Sequence, residues 1–239
     1  MSRARWSVVL AVVVVLAAVA VAYAAGQAKA TAPNVVRAQR FDLVDAKGRV
    51  WAALGLLADG SPALALADEK GEWRARLRLD DHGRPGLSLH DEKGKPRAVL
   101  VLDADGGAGL ALADEKGKPR ALLSVDADGR PALVLADEKG KGRAMVSVLD
   151  DGTPCLSLHD EKGKPRVGLA VLPDGSPGLR LQDEKGEMRA GLVVLDDGGP
   201  GLLLSDERGK VRASLMVPAD GSPALALADE KGGVLWSAP

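Results

Sequence analysis

The sequence predicts an all-β fold of tandem 23-residue β-hairpin repeats. They form one long antiparallel β-meander, rolled or barrel-like, behind an N-terminal transmembrane helix or signal peptide. Three observations carry this. Glycine recurs at 48, 71, 94, 117, 140, 163, 186, 209 and 232, and again at 60, 83, 106, 129, 152, 175, 198 and 221, both series at intervals of 23. Between the glycines, apolar residues alternate with other residues at a period of two, the pattern of a strand with one apolar face. No 3.6-residue stripe survives, because Gly or Pro returns every few residues, and this excludes helices from the repeats.

In chain order, the first element is residues 1–25. Arg3 and Arg5 precede an uncharged apolar run from Val8 to Ala25. A basic start followed by an apolar run reads as an export signal with its N-terminus inside. Ala22-Tyr23-Ala24 has the small-x-small form that a signal peptidase cuts after. A run of about 18 residues can also just span a bilayer as an uncleaved anchor, and its length leans toward that fate. No cysteine follows it, which argues against a lipoprotein anchor. Either fate places the bulk of the chain outside the cytoplasm, in the cell envelope or secreted. Residues 26–38, small and polar with Pro33, read as a linker. Residues 39–236 form the repeat domain, with about eight repeats and about 17 strands, and 237–239 form a tail.

The repeat unit reads D-E-K-G-K-P-R-A-x-L-x-V-x-x-D-G-x-P-x-L-x-L-x. Its Asp-Gly dipeptides, such as Asp105-Gly106 and Asp128-Gly129, favour tight hairpin turns with positive φ at glycine. Pro85, Pro131 and Pro154 start strands, where a missing N–H is tolerated best. A three-residue loop pairing Asp103 with Gly107 places Leu100 opposite Leu110 and Ala98 opposite Leu112. An even-numbered loop pairing Asp91 with Pro96 places Leu89 opposite Ala98 and Leu87 opposite Leu100. Both hairpins then keep their apolar residues on one face, and the register returns to itself every repeat.

Two rival architectures explain the same period. A β-solenoid with one repeat per coil stacks Asp on Asp and Lys on Lys at about 4.8 Å, which like charges oppose. A homotrimeric β-fibre completes the repeats with other copies. A propeller needs a longer period. In the meander, Leu66, Leu89, Leu112, Leu135, Leu158, Leu181, Leu204 and Leu227 share one inward position. Arg76, Val99, Leu122, Met145, Gly168, Gly191 and Ser214 share a variable outward one. The leucine face must then be covered: by closure on itself, by another copy or by an apolar ligand.

Composition excludes several functions. Lys plus Arg total 32 against 33 Asp plus Glu, a net charge of −1, so nothing draws the chain to nucleic acid. Aromatics at 3% are too few for a base-stacking platform. The single cysteine, Cys155, rules out a disulfide framework and reads as a small side chain at a Gly or Ala position. Asp103-Ala104-Asp105-Gly106 has the start of a calcium loop but lacks the later oxygen ligands, so it reads as a turn. His90 and His159 share one repeat position about 29 Å apart across a flat sheet, and His82 sits in a turn. These histidines read as surface residues. No nucleophile elbow, phosphate-cradling loop or metal cluster is visible, and no insertion breaks the repeat. The expectation is a protein that is not an enzyme and has no cofactor or metal.

One row could bind anions: Arg74, Arg97, Arg120, Arg143, Arg166, Arg189 and Arg212. Each lies near the Asp-Glu of its own turn, so local charge compensation is the competing role. Trp51 and Val234-Leu235-Trp236 break the consensus at the two ends and suit end caps. In style the chain resembles repetitive bacterial surface and fibre proteins, and its Ala/Gly/Leu/Arg-rich usage suits a GC-rich bacterial genome. The function expected is an exported structural, scaffold or adhesive protein of the bacterial cell envelope that self-associates. The alternatives are a periplasmic lipid-shielding β-trough and an anionic-glycan-binding module. The membrane is a partner through residues 8–25 if these are uncleaved.

Overall fold

The computed structural model describes residues 35–238. The export segment, its cleavage motif and most of the linker lie outside these residues. Among the described residues no helix is long and apolar enough to cross a membrane. Among the described residues eighteen strands run from β1 (Arg40–Val44) and β2 (Val50–Leu56) through β17 (Ala224–Ala228) and β18 (Val234–Ala238), so the expected tail at 237–239 is strand as far as Ala238. Consecutive strands pair antiparallel throughout, as in β5 (Pro85–His90) with β6 (Pro96–Leu102), and β6 with β7 (Ala108–Ala113). The antiparallel ladder overturns the solenoid, whose neighbouring strands would be parallel.

Both kinds of turn share one geometry. The Asp103 N–H donates to the Gly107 carbonyl at 2.8 Å, and the Asp91 N–H to the Lys95 carbonyl at 2.9 Å. Gly106 and Gly94 close the loops at φ 90° and 74°, a conformation that costs a residue with a Cβ. The even-numbered loop expected at Lys93-Gly94 is therefore a three-residue loop instead. Its parity is corrected one step further on by a β-bulge. His90 pairs with Pro96, Leu89 with Ala98, and Arg97 is the extra residue between them. The same bulge falls at Arg74, Arg120, Arg143, Arg166, Arg189 and Arg212. At the two ends the bulged residue is Trp51 or Leu235. These residues break the arginine consensus at the bulge, and the Trp51 ring lies under the Arg49 guanidinium, 5.5 Å from its carbon. At the C-terminal end Trp236 stands opposite Leu227, 49% exposed.

Without the bulge Leu89 would oppose Arg97, and every apolar side chain beyond it would change face. With it, Leu64, Leu77, Leu87, Leu100, Leu110, Leu123 and Leu133 form one continuous row across the sheet. A second row alternates Leu and Ala through Leu66, Ala75, Leu89, Ala98 and Leu112. Each row meets the same repeat position two strands later with no net stagger. Closing a barrel requires strands that tilt and stagger, so the sheet stays open, with no pairing between β1 and β18. This corrects the barrel-like expectation.

The leucine face is not inward. Leu77 is 48% exposed, Leu169 49% and Leu192 53%. The buried apolar residues, Ala53, Ala63 and Ala65, lie on the opposite face. No described side chain is fully buried. Hydrogen-bonded ladders and cross-strand contacts, not a closed core, hold the strands together.

The two classes of glycine respond oppositely to substitution. Gly117→Ala, at φ 81°, is expected to cost about 1–2 kcal/mol. Gly168→Ala, in a strand with open space at the Cβ, is expected to be neutral or stabilising by up to about 1 kcal/mol. Urea unfolding of both variants checks the difference.

Candidate functional site

Each repeat builds a polar rim at its Lys-Gly turn. Asp91 Oδ1 accepts the backbone N–H of Lys93 at 2.9 Å and of Lys95 at 3.0 Å. The same pair of bonds recurs at Asp114, Asp137 and Asp160. The first residue of the Asp-Gly turn acts alike: Asp103 Oδ1 accepts from Asp105 and Gly107, so the calcium-loop resemblance resolves into a turn. Among the described residues no group of His, Cys, Asp or Glu is arranged to hold a metal.

The arginine row is occupied by this rim. Each of the seven arginines places Nη1 at 3.5–3.9 Å from the first Asp of its own turn. In four of them Nε also donates to a backbone carbonyl of the following repeat: Arg97 to Ala113, Arg120 to Ala136, Arg143 to His159 and Arg166 to Gln182, at 2.8–2.9 Å. Lys95, Lys118, Lys141 and Lys164 reach carbonyls of Glu115, Glu138, Glu161 and Glu184 in the same direction. The row offered as a possible anion site is thus engaged with its own turns, and four of its arginines also stitch one repeat to the next.

The remaining candidates are local. His90 accepts or donates at Nε2 to the Ser88 hydroxyl, 2.9 Å away, with Nδ1 3.1 Å from the Gly94 carbonyl. The carbonyl can only accept, so the neutral ring carries its proton on Nδ1 and accepts from Ser88 at Nε2. His159 repeats this with Ser157 and Gly163. Exposed His82 lies 3.7 Å from Asp81. Cys155, half-buried, lies 3.2 Å from the Ser147 hydroxyl.

Two hollows open on the face opposite the leucines. One, of about 200 Å³, lies over Ala53, Ala63 and Ala65, beside Trp73, Arg76 and Arg78. The other, of about 330 Å³, surrounds Arg180 where Gly168, Gly178 and Gly191 leave space. Arg76 opposes Ala65 and Ser88, and Arg78 opposes Ala63 and Gly86. Arg76 belongs to the variable outward set of the repeat, and Arg78 follows it on the same face. The available signal was the alternation Arg74-Ala75-Arg76-Leu77-Arg78, which puts charges where the next repeat has Val99 and Val101.

No family model matches the chain, and no curated protein does. Among solved structures, the chain is similar to the TCP10 domain of Danio rerio CPAP in complex with a peptide of Danio rerio STIL. The identity is 15%, covering 83% of this chain and 98% of that one, with a TM-score of 0.31. It is also similar to the Pseudomonas aeruginosa periplasmic gluconolactonase PpgL, at 12% identity, 78% and 84% coverage, and a TM-score of 0.20. A porin-like protein from Bacteroides uniformis gives 11%, 76% and 90%, and 0.19. Superpositions this loose assign neither family nor function.

The rim sets the acid response. Backbone N–H donation from Lys95, Lys118, Lys141 and Lys164, partly opposed by desolvation, holds Asp91, Asp114, Asp137 and Asp160 below the usual Asp value of 3.8. Asp45 is lowered to about 2, chiefly by the Arg49 backbone N–H, and Asp80 to about 2, chiefly by the Arg84 side chain. Lowered carboxylates contribute stability that is complete above the unfolded value and is lost as the pH falls through the folded one. Thermal midpoints are therefore expected to hold from about pH 7 to 5 and to fall between about pH 4 and 2. A midpoint that rises over that acid window contradicts the sign.

Proposed function

We propose that this protein is a non-enzymatic, exported structural scaffold of the bacterial cell envelope that assembles by pairing its leucine face with that of another copy. The observation that carries the reading is the uncovered apolar face of the open sheet. Leu64, Leu77 and Leu100 are 43–48% exposed in one continuous row, an apolar surface that soluble monomers rarely leave open. The second row alternates Leu with Ala. A facing copy displaced along that row seats its leucines over alanines, at the roughly 10 Å spacing of packed sheets.

Burying the remaining half of each leucine contributes about 1 kcal/mol. A dozen interdigitated leucines thus match the roughly 4–15 kcal/mol of translational and rotational freedom lost on association. The basic start and apolar run before Ala25 support export. The regular, insertion-free repeat supports a structural role. The arginine row, engaged with its own turns, weighs against the glycan-binding alternative.

Sedimentation equilibrium on the repeat unit Arg40–Pro239 tests the reading. A dimer or larger assembly is expected, and Leu133→Lys with Leu169→Lys, both on the leucine face, is expected to return it to monomer with its strand content kept. A monomeric native chain contradicts the scaffold. If that monomer carries extractable lipid, the lipid-shielding trough takes its place.

A further inference from the structure

We propose that the hollow formed by β4 (Trp73–Leu79) with β1, β2 and β3 (Pro62–Ala67) binds an amphipathic oxyanion, an alkyl phosphate or carboxylate, with its head between Arg76 and Arg78; the third arginine of its wall, Arg40, is neutralised by Asp42 at 2.6 Å. Arg76 and Arg78 point to the same face two residues apart. Neither has a carboxylate within ion-pair distance among the described residues, whereas all seven bulge arginines have one. The nearby turn carboxylate, Asp59, is held by the Ser61 N–H at 2.9 Å and the Ser61 hydroxyl at 2.5 Å.

Two unpaired cations side by side repel each other and add nothing the fold needs, because the next repeat builds the same strand with Val99 and Val101. A violation of the local rule at one place in a regular array marks a site. Guanidinium groups suit phosphate and carboxylate by parallel N–H donation.

The floor settles the rest of the ligand. Ala53, Ala63 and Ala65 are the buried apolar residues of the sheet, and the Trp73 ring stands beside them. The space of about 200 Å³ is below the roughly 300–1,000 Å³ of a drug-sized pocket. It holds an anionic head and the first carbons of a chain rather than a whole lipid. Arg180 lacks this arrangement, since its same-face neighbours two residues away are Gly178 and Gln182.

Calorimetric titration of the full chain tests this, with octyl phosphate kept below its micelle-forming concentration. Saturable binding is expected that weakens with salt. It should fall at least tenfold in Arg76→Val with Arg78→Val, a variant that reproduces the neighbouring repeat. Arg180→Gly is expected to retain it. Inorganic phosphate is expected to bind at least tenfold more weakly, and octanol not to bind detectably. The proposal is overturned if octyl phosphate fails to bind or if the double variant binds as tightly as the native chain. It is equally overturned if octanol matches octyl phosphate, or if inorganic phosphate does, which would leave a simple ion site.

Discussion

One extra residue per repeat governs this structure. A pair of identical three-residue loops would, on its own, shift the pairing by one residue every two strands and exchange the two faces of the sheet. The bulge at Arg97 and its equivalents removes that shift. Leucine then meets leucine, alanine or another apolar residue from strand to strand, and the stagger that a barrel requires does not accumulate. The bulged arginine binds the turn aspartate that shaped the loop before it, and in the inner repeats also a carbonyl of the repeat after it. Loop, bulge and inter-repeat bond are thus one device, repeated.

The consequences run in opposite directions on the two faces. On one, zero stagger lines up leucines that no other described element covers, a surface suited to association. On the other, small residues predominate, and burial comes from longer side chains lying over alanine and glycine. There the repeat tolerates variation, and there it departs from neutrality at Arg76 and Arg78. An invariant face suited to self-recognition and a variable face able to carry a local site is a division of labour open to a single-layer sheet, where both surfaces reach solvent.

Much of this was legible in the sequence. The period fixed the strand count to within one, and the alternation fixed which residues share a face: the pairings Leu100 with Leu110 and Leu89 with Ala98 follow from it directly. The bulge was not legible, because an even loop and a three-residue loop plus a bulge give the same partner for Leu89. Only the hydrogen bond from Asp91 to Lys95 separates them. Closure is not legible for a different reason: the need to cover leucine argues for it, and only the lack of stagger argues against it. The compensation of the arginine row was readable from its nearness to Asp-Glu. Arg76 and Arg78 stand out because the seven bulge arginines each have a carboxylate partner and, among the described residues, these two do not.

The most direct test of zero stagger is a distance measured along one row. Ser88, Ser157 and Ser214 stand in the same central row, on β5, β11 (Pro154–His159) and β16 (Val211–Met216). Spin labels at Cys-substituted pairs, with Cys155 replaced by Ala, report their separations by pulsed electron resonance. An open, unstaggered sheet places Ser157 up to about 29 Å from Ser88, six strand spacings away, and Ser214 up to about 53 Å, eleven spacings away. A distance from Ser88 to Ser214 no longer than that from Ser88 to Ser157 would mean that the sheet rolls back on itself, and would contradict the account.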